Sequence, residues 1–112
     1  MSLPALYNVP LTEEGLYRFA FENQQHHNNV LSYLAQQGKI SNPTNYPLDP
    51  MPLFAINEWL WKHQQVHNVM NAAVGNIGSD LTSVDFKNEE QLTAWIETHA
   101  REHQDIAQLT GV

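Results

Sequence analysis

Apolar and polar positions follow the period of an α-helix in three separate stretches of this chain. In the second stretch, Leu60, Met70 and Val74 fall on one helical face, and two histidines occupy the same face between Leu60 and Met70. Steps of three and four residues between such positions are typical of a helix packed against a core. The pattern predicts a single all-α domain, residues 1–112, with helices over residues 13–37, 52–74 and 89–109.

The second and third stretches repeat one another. The pattern Trp-x-x-x-His-x-x-x-His occupies residues 59–67 and occurs again, 36 positions later, at residues 95–103. The first stretch carries a diverged copy, in which Phe19, Asn23 and His27 take the same places. Because these positions belong to the buried face of each helix, the repeat predicts an aromatic layer and two polar layers inside a helical bundle.

Local signals mark the ends of the predicted helices. Thr12 is a suitable N-cap for the first helix, since its hydroxyl can accept from a free backbone N–H of the first turn. Asn88 followed by Gln91 resembles a capping box at the start of the third helix. Gly38 and Gly75 follow the first and second helices, where glycine is common because it adopts a left-handed conformation.

Proline-rich segments lie outside the helices. Residues 1–12 contain two prolines among apolar side chains, and residues 39–52 contain four. Proline interrupts helices and central strands, so we expect an extended N-terminal arm and a proline-rich crossover. Their apolar side chains predict contacts with protein partners or with further copies of the chain through residues 1–12 and 39–52.

Strand patterns are nearly absent, so the expected architecture is a small antiparallel three-helix bundle. If the helices run up, down and up, one layer contains Asn23, His67 and His99, and the next contains His27, His63 and His103. If the second helix is parallel to its neighbours, His63 and His67 exchange layers.

Composition excludes several classes of protein. The formal net charge is −7, and the five Lys and Arg residues are scattered singly, which is unlike the clustered basic surface of a nucleic-acid-binding protein. No apolar run reaches the length of a membrane span, and residues 1–4 do not resemble a secretion signal. The chain has no cysteine, which rules out disulfides and thiolate ligands. We therefore expect a protein that is not secreted and binds neither nucleic acid nor membrane.

The histidine pairs are the strongest candidates for chemistry. Histidines four residues apart on a helix lie one turn apart on the same face, so their rings can converge on one metal ion. Several nitrogen ligands in one site suit Zn, Cu, Ni or Fe better than Mg or Ca. The candidate metal ligands are His27, His63, His67, His99 and His103.

Two other interpretations of these histidines stay open at this point. Facing neutral imidazoles can donate from one ring nitrogen and accept at the other, so a metal-free polar layer is possible that fixes helix register. The histidines can also lie on the surface. Glu22 and Glu102 each precede a core histidine and are candidates to accept a hydrogen bond from a ligating ring.

Catalytic machinery is not evident in the sequence. There is no glycine-rich phosphate loop, no recognisable triad and no pair of carboxylates on the core face. This favours a non-catalytic structural or adaptor protein, with a transition-metal-binding bundle, either a metalloprotein or a small metalloenzyme, as the alternative.

Two resemblances bear on these interpretations. Histidine pairs that project into a helical bundle resemble hemerythrin-type di-iron proteins, but the bridging carboxylates and fourth helix of that family are missing. Most of the chain resembles small uncharacterised helical proteins encoded near the virion genes of tailed bacteriophages, which implies a virion component or a protein of the bacterial cytoplasm. The similar phrases are Tyr-Asn-Val-Pro at 7–10, the doubled His26-His27, Leu-Asp-Pro at 48–50, His-Gln-Gln-Val-His-Asn at 63–68, Asp-Leu-Thr-Ser-Val-Asp-Phe at 80–86 and the final Leu-Thr-Gly-Val.

Overall fold

Three helices in mutual contact form the protein. The computed structural model describes residues 13–42, 56–85 and 87–112, and its helices are α1 (Glu13–Gln36), α2 (Ile56–Val74) and α3 (Glu89–Thr110). Within these ranges there is no strand. The predicted all-α three-helix bundle is therefore confirmed.

Several predicted features lie outside the described residues. They are the N-terminal arm with its cap at Thr12, the crossover from residue 43 onward, and the beginning of the second helix at residues 52–55. These stay predictions.

The helix ends follow the local signals in the sequence. Asn88 caps α3 by accepting a hydrogen bond from the Gln91 N–H at 3.1 Å. In a capping box the Gln91 side chain would accept from the backbone N–H of Asn88. Here it accepts from the N–H of Asp85 instead. Gly38 and Gly75, with φ of 72° and 71°, turn the chain away from α1 and α2 in the left-handed conformation that glycine adopts readily.

The helices run parallel, so the predicted antiparallel arrangement is wrong. Phe19, Trp59 and Trp95, near the beginning of the three helices, belong to one buried cluster. Leu34, Met70 and Ile106, near the three helix ends, belong to another. All three N-terminal ends therefore lie at the same end of the bundle.

Residues 75–88 return the chain along the bundle, which is what parallel packing requires. The N–H of Ser79 donates to Glu102, the carbonyl of Leu81 accepts from Trp95, and the N–H of Asp85 donates to the Gln91 side chain. Later residues of the connection therefore contact residues of α3 that lie nearer to its N-terminus. An extended chain of about fourteen residues reaches about 46 Å, which exceeds the length of about 33 Å that a helix of 22 residues occupies.

The histidine layers lie between two apolar clusters. The cluster at the N-terminal end of the bundle is closed by Leu81 from the connection. The other includes side chains near the C-terminus of the chain, among them Val112. Among the described residues, no helix is long and apolar enough to cross a membrane.

Candidate metal centre

Five histidines meet at the middle of the bundle. Each has at most 1% of its surface exposed, and one ring nitrogen from each lies within 4.8 Å of the corresponding atom of every other. Burial rules out the surface interpretation. The residues are those expected from the sequence: His27, His63, His67, His99 and His103.

The ring contacts show which histidines share a layer. The Nε2 atoms of His63 and His99 are 3.1 Å apart. The Nε2 atom of His27 lies 3.0 Å from that of His67 and 3.1 Å from that of His103. The layers are therefore Asn23 with His63 and His99, and His27 with His67 and His103, as expected for a second helix parallel to its neighbours.

Glu102 orients one of the rings. The Nδ1 atom of His67 donates to the Glu102 carboxylate at 2.9 Å, and this carboxylate also accepts from the Asn71 amide at 2.5 Å and from the Ser79 N–H at 3.1 Å. Burial opposes the charge of Glu102, but the hydrogen bond from His67 and the other donors hold its pKa below the usual value. The sequence indicated Glu102 as an acceptor. In the structure it accepts from a histidine of α2, across the interface between α2 and α3. Glu22 is exposed.

His26 is a sixth buried histidine that the helical pattern did not single out. Its Nδ1 lies 2.6 Å from Nδ1 of His103, and its Nε2 lies 3.1 Å from the carbonyl oxygen of Val112. Burial lowers its pKa, and the hydrogen bond to Val112 acts in the opposite direction. His26 thus supports His103 from outside the five-histidine centre, as Glu102 supports His67. The only available signal was its position beside His27.

Four of the five histidines in the centre are neutral imidazoles that face one another. Burial, and then repulsion between neighbouring histidines, holds the pKa of His27, His63, His99 and His103 well below the usual value. Metal ions bind neutral imidazole, so these side chains do not have to lose a proton near neutral pH to act as ligands.

Aromatic rings cover the centre toward the N-terminal end of the bundle. Trp59 stacks on His63 with ring centroids 4.5 Å apart, and Trp95 stacks on His99 at 4.8 Å. Phe19 meets His99 edge-on. All three aromatic residues are buried, which places an apolar wall between the centre and solvent on this side.

Hydrogen bonds alone do not account for the two close contacts of His27 Nε2. If the His67 ring is neutral, its donation from Nδ1 to the Glu102 carboxylate leaves a lone pair on Nε2. Nε2 of His27 must then donate its single proton there, although it lies equally close to Nε2 of His103. One proton cannot be directed at both rings. A cation between the three nitrogens accepts all three lone pairs together.

Comparisons with protein-family models, with curated proteins and with solved structures gave no match. Function is therefore inferred from the geometry of the centre, and the likenesses to phage-encoded and hemerythrin-type proteins stay predictions.

Proposed function

We propose that the protein is a metalloprotein in which one divalent transition-metal ion, held by the Nε2 atoms of five histidines, fastens three parallel helices together. The observation that carries this proposal is the position of His27 Nε2, 3.0 and 3.1 Å from two other Nε2 atoms. Imidazole ligands suit Zn, Cu, Ni and Fe, and the hydrogen bond from His67 to Glu102 is the kind of support that ligating histidines usually have.

The competing function is a metal-free polar layer that only sets the register of the helices. Such a layer needs a partner for each buried polar group. The described centre instead leaves Nδ1 of His27, His63 and His99 without a hydrogen bond, so the histidines do not form a closed network among themselves. Coordination through Nε2 leaves the same three Nδ1 atoms unpaired, so the contacts of His27 Nε2, and not these atoms, favour the metal.

The test is the metal content of protein purified without a histidine tag or a chelator. Elemental analysis is expected to find about one transition-metal ion per chain, in line with the single cluster of ligands. The double variant His63→Ala/His99→Ala is expected to lose it. Gln65→Ala/Glu97→Ala is the matched control, because both side chains are exposed, each lies two residues from a replaced histidine, and all five candidate ligands stay in place.

Substoichiometric metal in the parent protein, or equal metal in the parent and the double variant, contradicts the proposal. Loss of metal in Gln65→Ala/Glu97→Ala to the same extent as in the histidine double variant also contradicts it, because the effect would then not be specific to the five ligands.

A metal that holds helices together requires no turnover, and this agrees with the expectation of a non-catalytic protein. The further expectation, that the protein is a tailed-phage virion component which binds partners or other copies through residues 1–12 and 39–52, stays a proposal. Co-purification with virions, followed by identification of the chain in the particles, tests it.

A further inference from the structure

The two polar layers of the bundle contain six positions, and only five of them are histidines. On the basis of the metal proposed above, the geometry points to Asn23 as the sixth ligand of the ion, through its side-chain oxygen Oδ1. Asn23 shares its layer with His63 and His99, because the offset between helices aligns these three positions.

Asn23 is buried in a way that requires an explanation. Its exposed fraction is 0%, yet neither its Oδ1 nor its Nδ2 has a hydrogen-bond partner. A buried polar group without a partner destabilises the fold, and such groups are uncommon in folded proteins. Coordination to an ion that lies between the two layers gives the amide oxygen the partner that the protein does not supply.

The three short separations between ring nitrogens of the five histidines agree with six-fold coordination, and the others extend to 4.8 Å, somewhat beyond the distance between opposite ligands of an ideal octahedron. Neighbouring ligands in an octahedron are separated by √2 times the metal–ligand distance, so the observed 3.0 and 3.1 Å correspond to metal–nitrogen distances of about 2.1–2.2 Å. A tetrahedral ion with bonds of about 2.0–2.1 Å separates its ligands by about 3.3–3.4 Å. Two layers of three ligands are also the arrangement of opposite faces of an octahedron.

A sixth protein ligand has consequences for the choice of metal and for chemistry. Structural zinc is almost always four-coordinate, so a six-position centre favours an ion that accepts six ligands, such as Fe(II) or Ni(II). With six protein ligands the ion has no open position for water or substrate, and Lewis-acid catalysis requires such a position. The site is then a structural metal site that holds the three helices together.

Co(II) is a suitable probe, since its visible absorption is weak when it is six-coordinate and stronger when it is five-coordinate. We expect weak absorption from the Co(II)-loaded parent and stronger absorption from Asn23→Leu. The affinity of Asn23→Leu for Co(II) is expected to fall about tenfold or more, since even partners beyond the ligands contribute that much. Asn23→Asp, which keeps an oxygen at this position, is expected to restore weak absorption.

Asn28→Leu, an exposed substitution on the same helix, is the control and is expected to match the parent. Folding does not confound the comparison, because leucine at residue 23 removes an unpaired polar group and is expected to leave the metal-free protein at least as stable. Thermal unfolding in chelator checks this.

An unchanged Co(II) spectrum and affinity in Asn23→Leu would overturn the sixth-ligand assignment while leaving the five-histidine metal site in place. A parent protein that binds no Co(II) would overturn both.

Discussion

Glu102 carries a charge close to the middle of the bundle, and its surroundings explain how that charge is accommodated. The carboxylate is 4% exposed and accepts hydrogen bonds from three groups: the His67 ring and the Asn71 amide of α2, and the Ser79 backbone of the connection that follows α2. A carboxylate that accepts from Nδ1 fixes the ring orientation and makes Nε2 a better ligand. Glu102 is therefore a positioning residue for the proposed metal.

Glu102→Gln tests this role. The amide oxygen can still accept from His67, but the negative charge that partly balances a divalent ion is lost. Metal affinity is expected to fall about 10-fold to 100-fold, as for other partners of ligating histidines. Competition with a chelator of known affinity measures it, with the exposed Glu97→Gln on the same helix as control. Equal affinities in the two variants would show that Glu102 does not support the site.

The buried histidines also predict how the metal-free protein responds to acid. Their pKa values are lowered in the folded state, chiefly by burial, for His27, His63, His99 and His103, and to a smaller degree for His26. Above about pH 6.5 these groups are neutral both folded and unfolded, and stability does not depend on them. Below it, the unfolded chain binds more protons, so stability falls as pH falls.

In excess chelator, the free energy of unfolding is thus expected to be level above pH 6.5 and to fall between pH 6.5 and 5, by up to about 1.4 kcal/mol per pH unit for each histidine that stays neutral in the fold. Glu102 does not contribute there, because its lowered pKa acts at more acidic pH. Urea titrations at several pH values measure the change. A urea midpoint that does not change between pH 7 and 5 would contradict the burial of neutral histidines.

Among the elements, the connection between α2 and α3 does more than join them. Leu81 from this segment is buried at 1% exposure, and its N–H donates to the Gln64 side chain. Gly78 packs tightly against Asn71 and Glu102, because a β-carbon there would overlap the Asn71 amide and come within 3.0 Å of Glu102. The connection thus reaches the groups that orient His67.

Gly78→Ala is expected to displace Asn71 and Glu102, and through them to weaken metal binding from a position outside the helices. Overpacking of this kind costs about 1–3 kcal/mol. Thermal unfolding with and without metal measures it, and Ile77→Ala, at a neighbouring side chain that is 95% exposed, is the control. If the metal-dependent part of the stability is the same in both variants, the connection does not support the site.

Helix positions and buried faces were predictable because they depend on local pattern. Glycine after α1 and α2, the cap at Asn88 and the spacing of the histidines each act within a few residues. Helix direction was predicted wrongly, since periodicity identifies the buried face of a helix but is the same read in either direction. Contacts between elements, such as Ser79 with Glu102 or His26 with His103, likewise have no local signal.

At the scale of the whole molecule, the bundle has approximate threefold symmetry within one chain. Equivalent positions of α1, α2 and α3 form successive layers: an aromatic layer, two polar layers and an apolar layer. This symmetry explains the constant offset between the histidine pairs, because the layers follow one another in the same order along each of the parallel helices. An antiparallel helix would require the order of its layers to be inverted.

Parallel packing predicts distances between exposed positions on α2 and α3. Spin labels at Asn57→Cys and Thr93→Cys are expected to lie close together, whereas Ala72→Cys with Thr93→Cys is expected to be separated along the bundle by about 22 Å more, the rise of fifteen helical residues. The chain has no cysteine of its own, so labelling is specific. Double electron–electron resonance measures both pairs. The reverse order of distances would establish an antiparallel α2.

The most direct test of the metal centre is an anomalous difference map from crystals of the Ni(II)-loaded protein, with data collected at the nickel absorption edge. We predict one strong peak per chain on the bundle axis. It should lie within about 2.1–2.2 Å of the Nε2 atoms of the five histidines, the distance that their separations imply. The absence of a peak there, or peaks only at the protein surface, would contradict the proposed metal site.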